Sequence, residues 1–132
     1  MFFLAKYNHA AMNVAEPEFY EAASNEEIKN GEALVLSGGK LTRASTTLPQ
    51  FIAMTDLAKG ATKRRIPCVR ADENQLWRVP VSADPTNLKP GDKVTLGSDA
   101  LTVTATTSSG IITVEDLGGA EKAGDEIYVR II

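Results

Sequence analysis

The chain of 132 residues contains one cysteine, Cys68, and one histidine, His9. A single cysteine excludes an internal disulfide and indicates assembly in a reducing compartment. One cysteine and one histidine cannot supply the usual ligand set of a zinc site, and a Ser–His–acid or Cys–His nucleophile would depend on His9. We therefore expect no metal, no cofactor and no enzymatic activity.

Segments that direct a chain into a membrane are also missing. No apolar run approaches the roughly 18 residues that cross a bilayer, and residues 1–6 lack both a basic leader and the apolar length of a signal peptide. Nucleotide-binding signatures are absent as well, because Leu34 stands where a phosphate loop ending in Gly39-Lys40 needs a glycine. The sequence predicts synthesis in the cytosol and no membrane partner.

One short pattern occurs three times, at residues 29–36, 89–96 and 122–129. It consists of a lysine, any residue, a glycine, an acid, any residue and two apolar residues spaced two apart. Glycine favours turn conformations that other residues avoid, and the spacing of two places both apolar side chains on one face of a strand. The pattern predicts a turn that leads into a strand, with the acid bonded to turn amides. Both duplication and recurrent turn chemistry explain the similarity.

The remaining patterns are those of short strands. Trp77, Val79 and Val81 alternate on one face, and Pro80 indicates an edge strand or a bulge. Residues 51–54 are apolar throughout, which predicts a strand buried on both faces.

Closely spaced strands, glycine turns and almost no helical periodicity predict an all-β barrel or sandwich with at most one or two helical turns. We predict a single β domain at residues 18–132, with two similar hairpin units at 28–45 and 88–105. Residues 1–17 are predicted to form a flexible N-terminal arm, with a simple edge strand as the alternative.

Charge is distributed unevenly, although the net charge is only −3. Residues 16–32 contain six acids and one lysine, and residues 59–70 contain five bases and no acid. These runs are either two solvated loops or two complementary surfaces, one on each of two neighbouring subunits or partners.

Residues 28–41, followed by a loop and residues 49–54, resemble the core of small head decoration proteins of tailed phages, also called capsid cement proteins. In that family a flexible N-terminal segment precedes a β-rich domain with a Gly–acid strand, a glycine-rich hairpin and an apolar strand. The resemblance covers residues 17–81 and depends on turn chemistry rather than on a site. Met54-Thr55 departs from the glycine that several such families have after the apolar strand.

The resemblance implies a non-enzymatic virion protein, assembled in the host cytoplasm, that binds the major capsid protein on the capsid exterior and stabilises the shell. It also implies a homo-oligomer, with a trimer favoured. From the arm and the charged runs we predict a contact surface in which residues 2–17 join a neighbouring sheet edge. The predicted contact residues are Phe2, Phe3, Leu4, Tyr7, Glu16, Glu18, Glu26, Glu27, Lys63, Arg64, Arg65 and Arg70.

Two other classes of function stay open. A small β-barrel that binds nucleic acid or another ligand would use the basic residues 59–70, with Trp77 for stacking. Because the net charge is negative, direct binding to nucleic acid is not expected. A small enzyme would depend on His9 or on one of the turn acids.

Overall fold

A computed structural model describes residues 1–7 and 16–132, and in these ranges the backbone forms ten β-strands and no helix. The strands are β1 (Phe3–Tyr7), β2 (Glu18–Glu21), β3 (Ala33–Ser37), β4 (Lys40–Arg43), β5 (Phe51–Ala53), β6 (Arg65–Arg70), β7 (Gln75–Pro80), β8 (Lys93–Val94), β9 (Ile112–Asp116) and β10 (Glu126–Arg130). The prediction of an all-β fold is confirmed. In the described ranges no helix is long and apolar enough to cross a membrane.

The strands form two five-stranded sheets, and neighbouring strands in both are antiparallel. Sheet I has the order β1-β7-β10-β9-β8, and sheet II has the order β2-β6-β5-β3-β4. The arrangement is a sandwich rather than a closed barrel, which decides between the two predicted architectures. Because β1 and β2 are edge strands of different sheets, the chain changes sheet between its first two strands.

A core lies on each face of sheet II. The first core fills the space between the sheets and contains Trp77 and Ile52, and the second lies on the opposite face and contains Phe51. Sheet II curls around the second core until β2 approaches β4, where the Ala23 N–H donates to the Leu41 carbonyl at 2.9 Å. The prediction that β5 is buried on both faces is therefore confirmed for Phe51–Ala53, although the next residue, Met54, is exposed.

Strand β7 confirms one prediction and corrects another. Trp77, Val79 and Val81 are buried as the alternation predicted. Of the two alternatives that Pro80 suggested, the edge strand is wrong, because β7 lies between β1 and β10. The pairing of β1 with β7 does contain an irregularity, but it lies between Leu4 and Lys6 and not at Pro80. Pro80 is tolerated at the end of this strand because it lies beyond Arg78, the last residue that pairs with β1, so its missing N–H removes no bond to β1.

The N-terminal residues form the edge strand that was the alternative to an arm. The backbone of β1 pairs with β7 from Phe3 to Tyr7. The Phe2 side chain is 2% exposed, and its ring meets the Trp77 ring edge-to-face at a centroid distance of 6.5 Å. The predicted arm boundary is thus corrected for residues 1–7, which belong to the β domain, while residues 8–15 lie outside the described ranges.

The three repeated patterns form three similar turns. Their glycines have positive φ angles, of 82° at Gly31, 96° at Gly91 and 93° at Gly124. In each turn the acid accepts a bond from the N–H of the lysine three residues earlier: Glu32 from Lys29 at 3.4 Å, Asp92 from Lys89 at 2.9 Å and Asp125 from Lys122 at 3.2 Å. The turns lead into β3, β8 and β10. The prediction of a turn that leads into a strand, with the acid bonded to a turn amide, is confirmed.

The acids of these turns differ in environment. Glu32 is fully buried, its Oε2 has no hydrogen-bond partner among the described residues, and its Oε1 lies 3.5 Å from Arg43 Nη2. Burial raises the pKa of Glu32 because the carboxylate loses its hydration, and the charge of Arg43 offsets this only in part. Asp125 is the opposite case, because bonds from the Glu121 and Lys122 N–H groups lower the pKa of its carboxyl.

We expect the Glu32→Gln variant to become more stable relative to the wild type as the pH rises from about 4 to about 7. The raised pKa favours the neutral carboxyl, so the wild-type fold loses stability as Glu32 ionises above its ordinary value of 4.5. Thermal unfolding of both proteins across this pH range measures the difference.

Asp125→Asn is the matched control for this series. The stabilisation by Asp125 is present above its ordinary pKa of 3.8 and disappears as the pH falls through the lowered pKa. The difference in unfolding free energy between Asp125→Asn and the wild type should therefore stay constant at pH values well above 3.8. A Glu32→Gln difference that does not change with pH would contradict the assignment.

Candidate partner-binding surface

The chemistry of the described residues gives no support for a catalytic or metal centre. In residues 1–7 and 16–132 no three His, Cys, Asp or Glu side chains are grouped so that they could hold a metal ion. Burial raises the pKa of the Cys68 thiol to about 11, so the thiol is protonated and a poor nucleophile at neutral pH. It packs in the second core as a small apolar side chain. His9 lies outside the described ranges.

The acidic and basic runs meet within one chain. Strand β2 pairs with β6, so that Glu18 lies opposite Cys68 and Glu21 lies opposite Arg65. Arg70 donates two bonds to the Glu18 carboxylate, both of 2.8 Å, and these bonds lower the pKa of Glu18. Glu18 and Arg70 therefore neutralise each other within the chain, and their contact with a neighbouring subunit stays a prediction.

Arg64 is also used internally. Its guanidinium donates to the backbone carbonyls of Ala23, Glu26, Ala58, Lys59 and Ala61, at distances between 2.6 and 3.3 Å. These carbonyls belong to the loop after β2 and the loop before β6. The side chain therefore holds the two loops together, and a contact of Arg64 with a partner stays a prediction.

The other predicted acids divide into bonded and exposed groups. Glu26 accepts bonds from the Thr42 hydroxyl and, at 2.7 Å, from the Arg43 N–H, so it stabilises the strand next to it. Glu27 forms an exposed ion pair with Lys29 at 3.5 Å, and Glu16 is exposed. Only Glu16 and Glu27 of this group are therefore well placed to meet a partner.

The predicted apolar contacts divide in the same way. Phe2 and Leu4 are buried in the first core, so they are not available to a partner while β1 stays in its sheet. Phe3 is exposed, and the Arg78 guanidinium lies over its ring at 4.6 Å from the centroid. Tyr7 ends β1, where its backbone pairs with Gln75.

An apolar groove opens beside β1, and we call it the edge groove. It has a volume of about 230 Å³ and lies between β1 and the ends of β5 and β6. Its lining includes Phe3, Leu4, Ile52, Met54, Val69 and Trp77. It exists because sheet I covers Ile52 and Val69 on the inner face of sheet II but leaves Met54 exposed.

The exposed face continues from the edge groove to β2. The Met54 N–H donates to the Pro67 carbonyl at 3.1 Å, and Pro67 pairs with Phe19 across β6 and β2. Side chains opposite one another in neighbouring strands share a face, so Met54, Pro67 and Phe19 form a row, which we call the apolar strip. The sequence pattern predicted Met54 as a strand residue, but it could not show how far sheet I covers sheet II.

A second cleft, of about 610 Å³, lies on the outer face of sheet I. Its lining includes Lys6, Leu76, Glu115, Tyr128 and Arg130. Arg130 bonds to Glu115 at 3.0 Å, so two of its charged groups satisfy each other. The cleft is open and of mixed polarity, and it indicates no particular ligand.

No known family model matches the sequence, and no curated protein matches it significantly. The fold, by contrast, is similar to a solved structure, the N base of the head fiber protein gp8.5 of bacteriophage phi29. The two structures superpose with a TM-score of 0.59 over 89% of this chain and 95% of that one, at 20% sequence identity. At this identity the similarity is evidence for a shared two-sheet fold.

Proposed function

We propose that this chain is a non-enzymatic structural protein of a phage virion that binds the outer surface of the capsid and stabilises it. The observation that carries the proposal is the fold similarity to the base of the phi29 head fiber, which extends over nearly the whole of both chains. The decoration-protein resemblance of residues 17–81 supports the same class independently, because it depends on sequence rather than on backbone shape.

The proposal includes the partner, the assembly state and the location. The partner is the major capsid protein, the protein acts as a homotrimer, and it joins the capsid exterior during assembly in the host cytoplasm. A small subunit present in many copies on a shell gains avidity from its neighbours, so weak individual contacts suffice. Of the predicted contact residues, Phe3, Glu16, Glu27, Lys63, Arg65 and Arg70 are exposed. We assign the capsid contact to Glu16, Glu27 and Lys63, which do not line the edge groove.

Co-sedimentation with purified heads of the virus whose genome carries the gene tests this proposal. We expect saturable binding of the protein to intact heads, together with a higher temperature of DNA release from filled heads. A protein that stays in the supernatant at saturating concentration, with no effect on DNA release, would show that the proposed function is wrong. Bovine serum albumin in the same gradients controls for trapping.

A nucleic-acid-binding module has weaker support. Arg64 and Arg70, two of the five bases in residues 59–70, are engaged inside the chain. In the co-sedimentation series, a single-stranded oligonucleotide of about 20 nucleotides serves as the comparison ligand. Salt-sensitive binding to it, without binding to heads, would favour the alternative.

A further inference from the structure

The exposed apolar side chains of the described residues are concentrated at one side of the molecule. Six large ones are exposed: Met1, Phe3, Phe19, Leu48, Met54 and Ile132. Met1, Phe3 and Met54 line the edge groove, and Phe19 ends the apolar strip next to it. Phe3 is 39% exposed, Met54 is 42% exposed and Phe19 is 48% exposed, so together they form an apolar surface of the kind that marks interaction sites.

The charges around this surface are balanced. At one end Arg78 lies over Phe3 and pairs with Glu126 at 3.2 Å. At the other end Arg65 lies 6.0 Å from the Phe19 ring centroid, opposite Glu21 on the neighbouring strand. Phenylalanine, methionine and arginine are enriched at protein interfaces. A rim with one cation and one anion at each end suits a partner with the same balance rather than a strongly charged one.

We propose that a second copy of this chain covers the edge groove and the apolar strip, so that this surface holds the homo-oligomer together. The inference rests on the homo-oligomer that forms part of the proposed function, and it goes beyond it by naming the surface. An apolar centre with a balanced rim complements another copy of the same subunit. That copy would cover the part of the inner face of sheet II that sheet I leaves exposed.

The backbone supports the same occupant. The surface lies between β1, one edge strand of sheet I, and β2, one edge strand of sheet II. Strand β2 meets β4 only at its end, through Ala22 and Leu41. Open edges of this kind invite uncontrolled strand addition unless they are covered. A closed ring of identical subunits would cover them and end growth.

The test compares the wild type with Phe19→Asp and Met54→Lys in solution. We expect the wild type to have three times the 14.1 kDa mass of one chain by light scattering at about 100 μM. Both variants should weaken association by at least about 30-fold. The two variants introduce charges of opposite sign because a buried charge of either sign should weaken an apolar contact with a balanced rim. Leu48→Asp is the matched control, because Leu48 is 38% exposed but lines neither the edge groove nor the apolar strip.

Thermal unfolding of each variant shows that a change in mass is not a loss of fold. A wild type that is monomeric at about 100 μM would overturn the inference, as would groove variants that keep the wild-type mass. Co-sedimentation with heads separates this failure from that of the proposed function. A monomeric wild type that binds heads, and loses that binding in Met54→Lys, would mean that the capsid covers this surface instead.

Discussion

Replacement of Arg64 by alanine is expected to lower the free energy of unfolding by about 3 kcal/mol. The guanidinium donates to five backbone carbonyls in two loops. Without it these acceptors lose a charged donor, and the part-buried ones are left without an equivalent partner. Because the bonds share one side chain, their contributions are not additive, and the total stays near the value of one or two charged hydrogen bonds. Chemical denaturation followed by Trp77 fluorescence measures the loss.

Two variants make this result specific. Lys63→Ala removes a neighbouring exposed cation and should change stability by less than about 0.5 kcal/mol. Arg64→Lys keeps the charge but not the planar set of donors, so it should recover only a minor part of the loss. If Arg64→Ala and Lys63→Ala are equally stable, the guanidinium does not fasten the loops.

Gly110→Ala is expected to destabilise the domain by at least about 3 kcal/mol. A Cβ at this position would overlap the backbone carbonyl of Lys93 and approach the Val94 nitrogen to 2.8 Å. Backbone atoms cannot rotate away as a side chain can, so β8 would have to move from its place beside β9. The adjacent Ile111 N–H donates to the Val94 carbonyl at 2.9 Å, and that bond would be strained as well.

Gly60→Ala is the control, because a Cβ at Gly60 would meet no atom within 4 Å and its φ is not positive. That variant should be neutral or more stable by up to about 1 kcal/mol, since alanine restricts the unfolded chain. Thermal and urea unfolding of the two variants side by side give the comparison. Equal stability of Gly110→Ala and the wild type would show that β8 is free to shift.

The local chemistry of this sequence predicted the local structure. Positive φ at Gly31, Gly91 and Gly124 follows from the repeated pattern, because glycine followed by an acid suits one turn geometry. The buried row at Trp77, Val79 and Val81 follows from a spacing of two. In the region of the first predicted hairpin unit, β3 pairs with β4. In the region of the second, Gly97 N–H donates to the Thr102 carbonyl and an isolated bridge joins Leu96 to Val103, but β8 pairs with β9 rather than with a return strand.

The candidate surface could not be predicted in the same way. Arg64, Arg70 and Glu18 belong to charge runs whose partners are set by the pairing of β2 with β6, and this pairing joins residues about fifty positions apart. The exposure of Met54 and Phe19 depends on where sheet I ends. The residues next to them in the sequence do not determine that position. Long-range pairing therefore gives Glu18, Arg64 and Arg70 bonding partners within the chain. The apolar surface is exposed because sheet I covers sheet II only in part.

The two cores of this domain share one wall. Strand β5 places Phe51 in the second core and Ile52 in the first, so the single layer of sheet II separates two hydrophobic interiors. If the outer loops opened and Phe51 became hydrated, sheet II would lose the support that holds Ile52 against sheet I. We therefore expect the two interiors to unfold together, in a single cooperative transition that calorimetry would show as one peak.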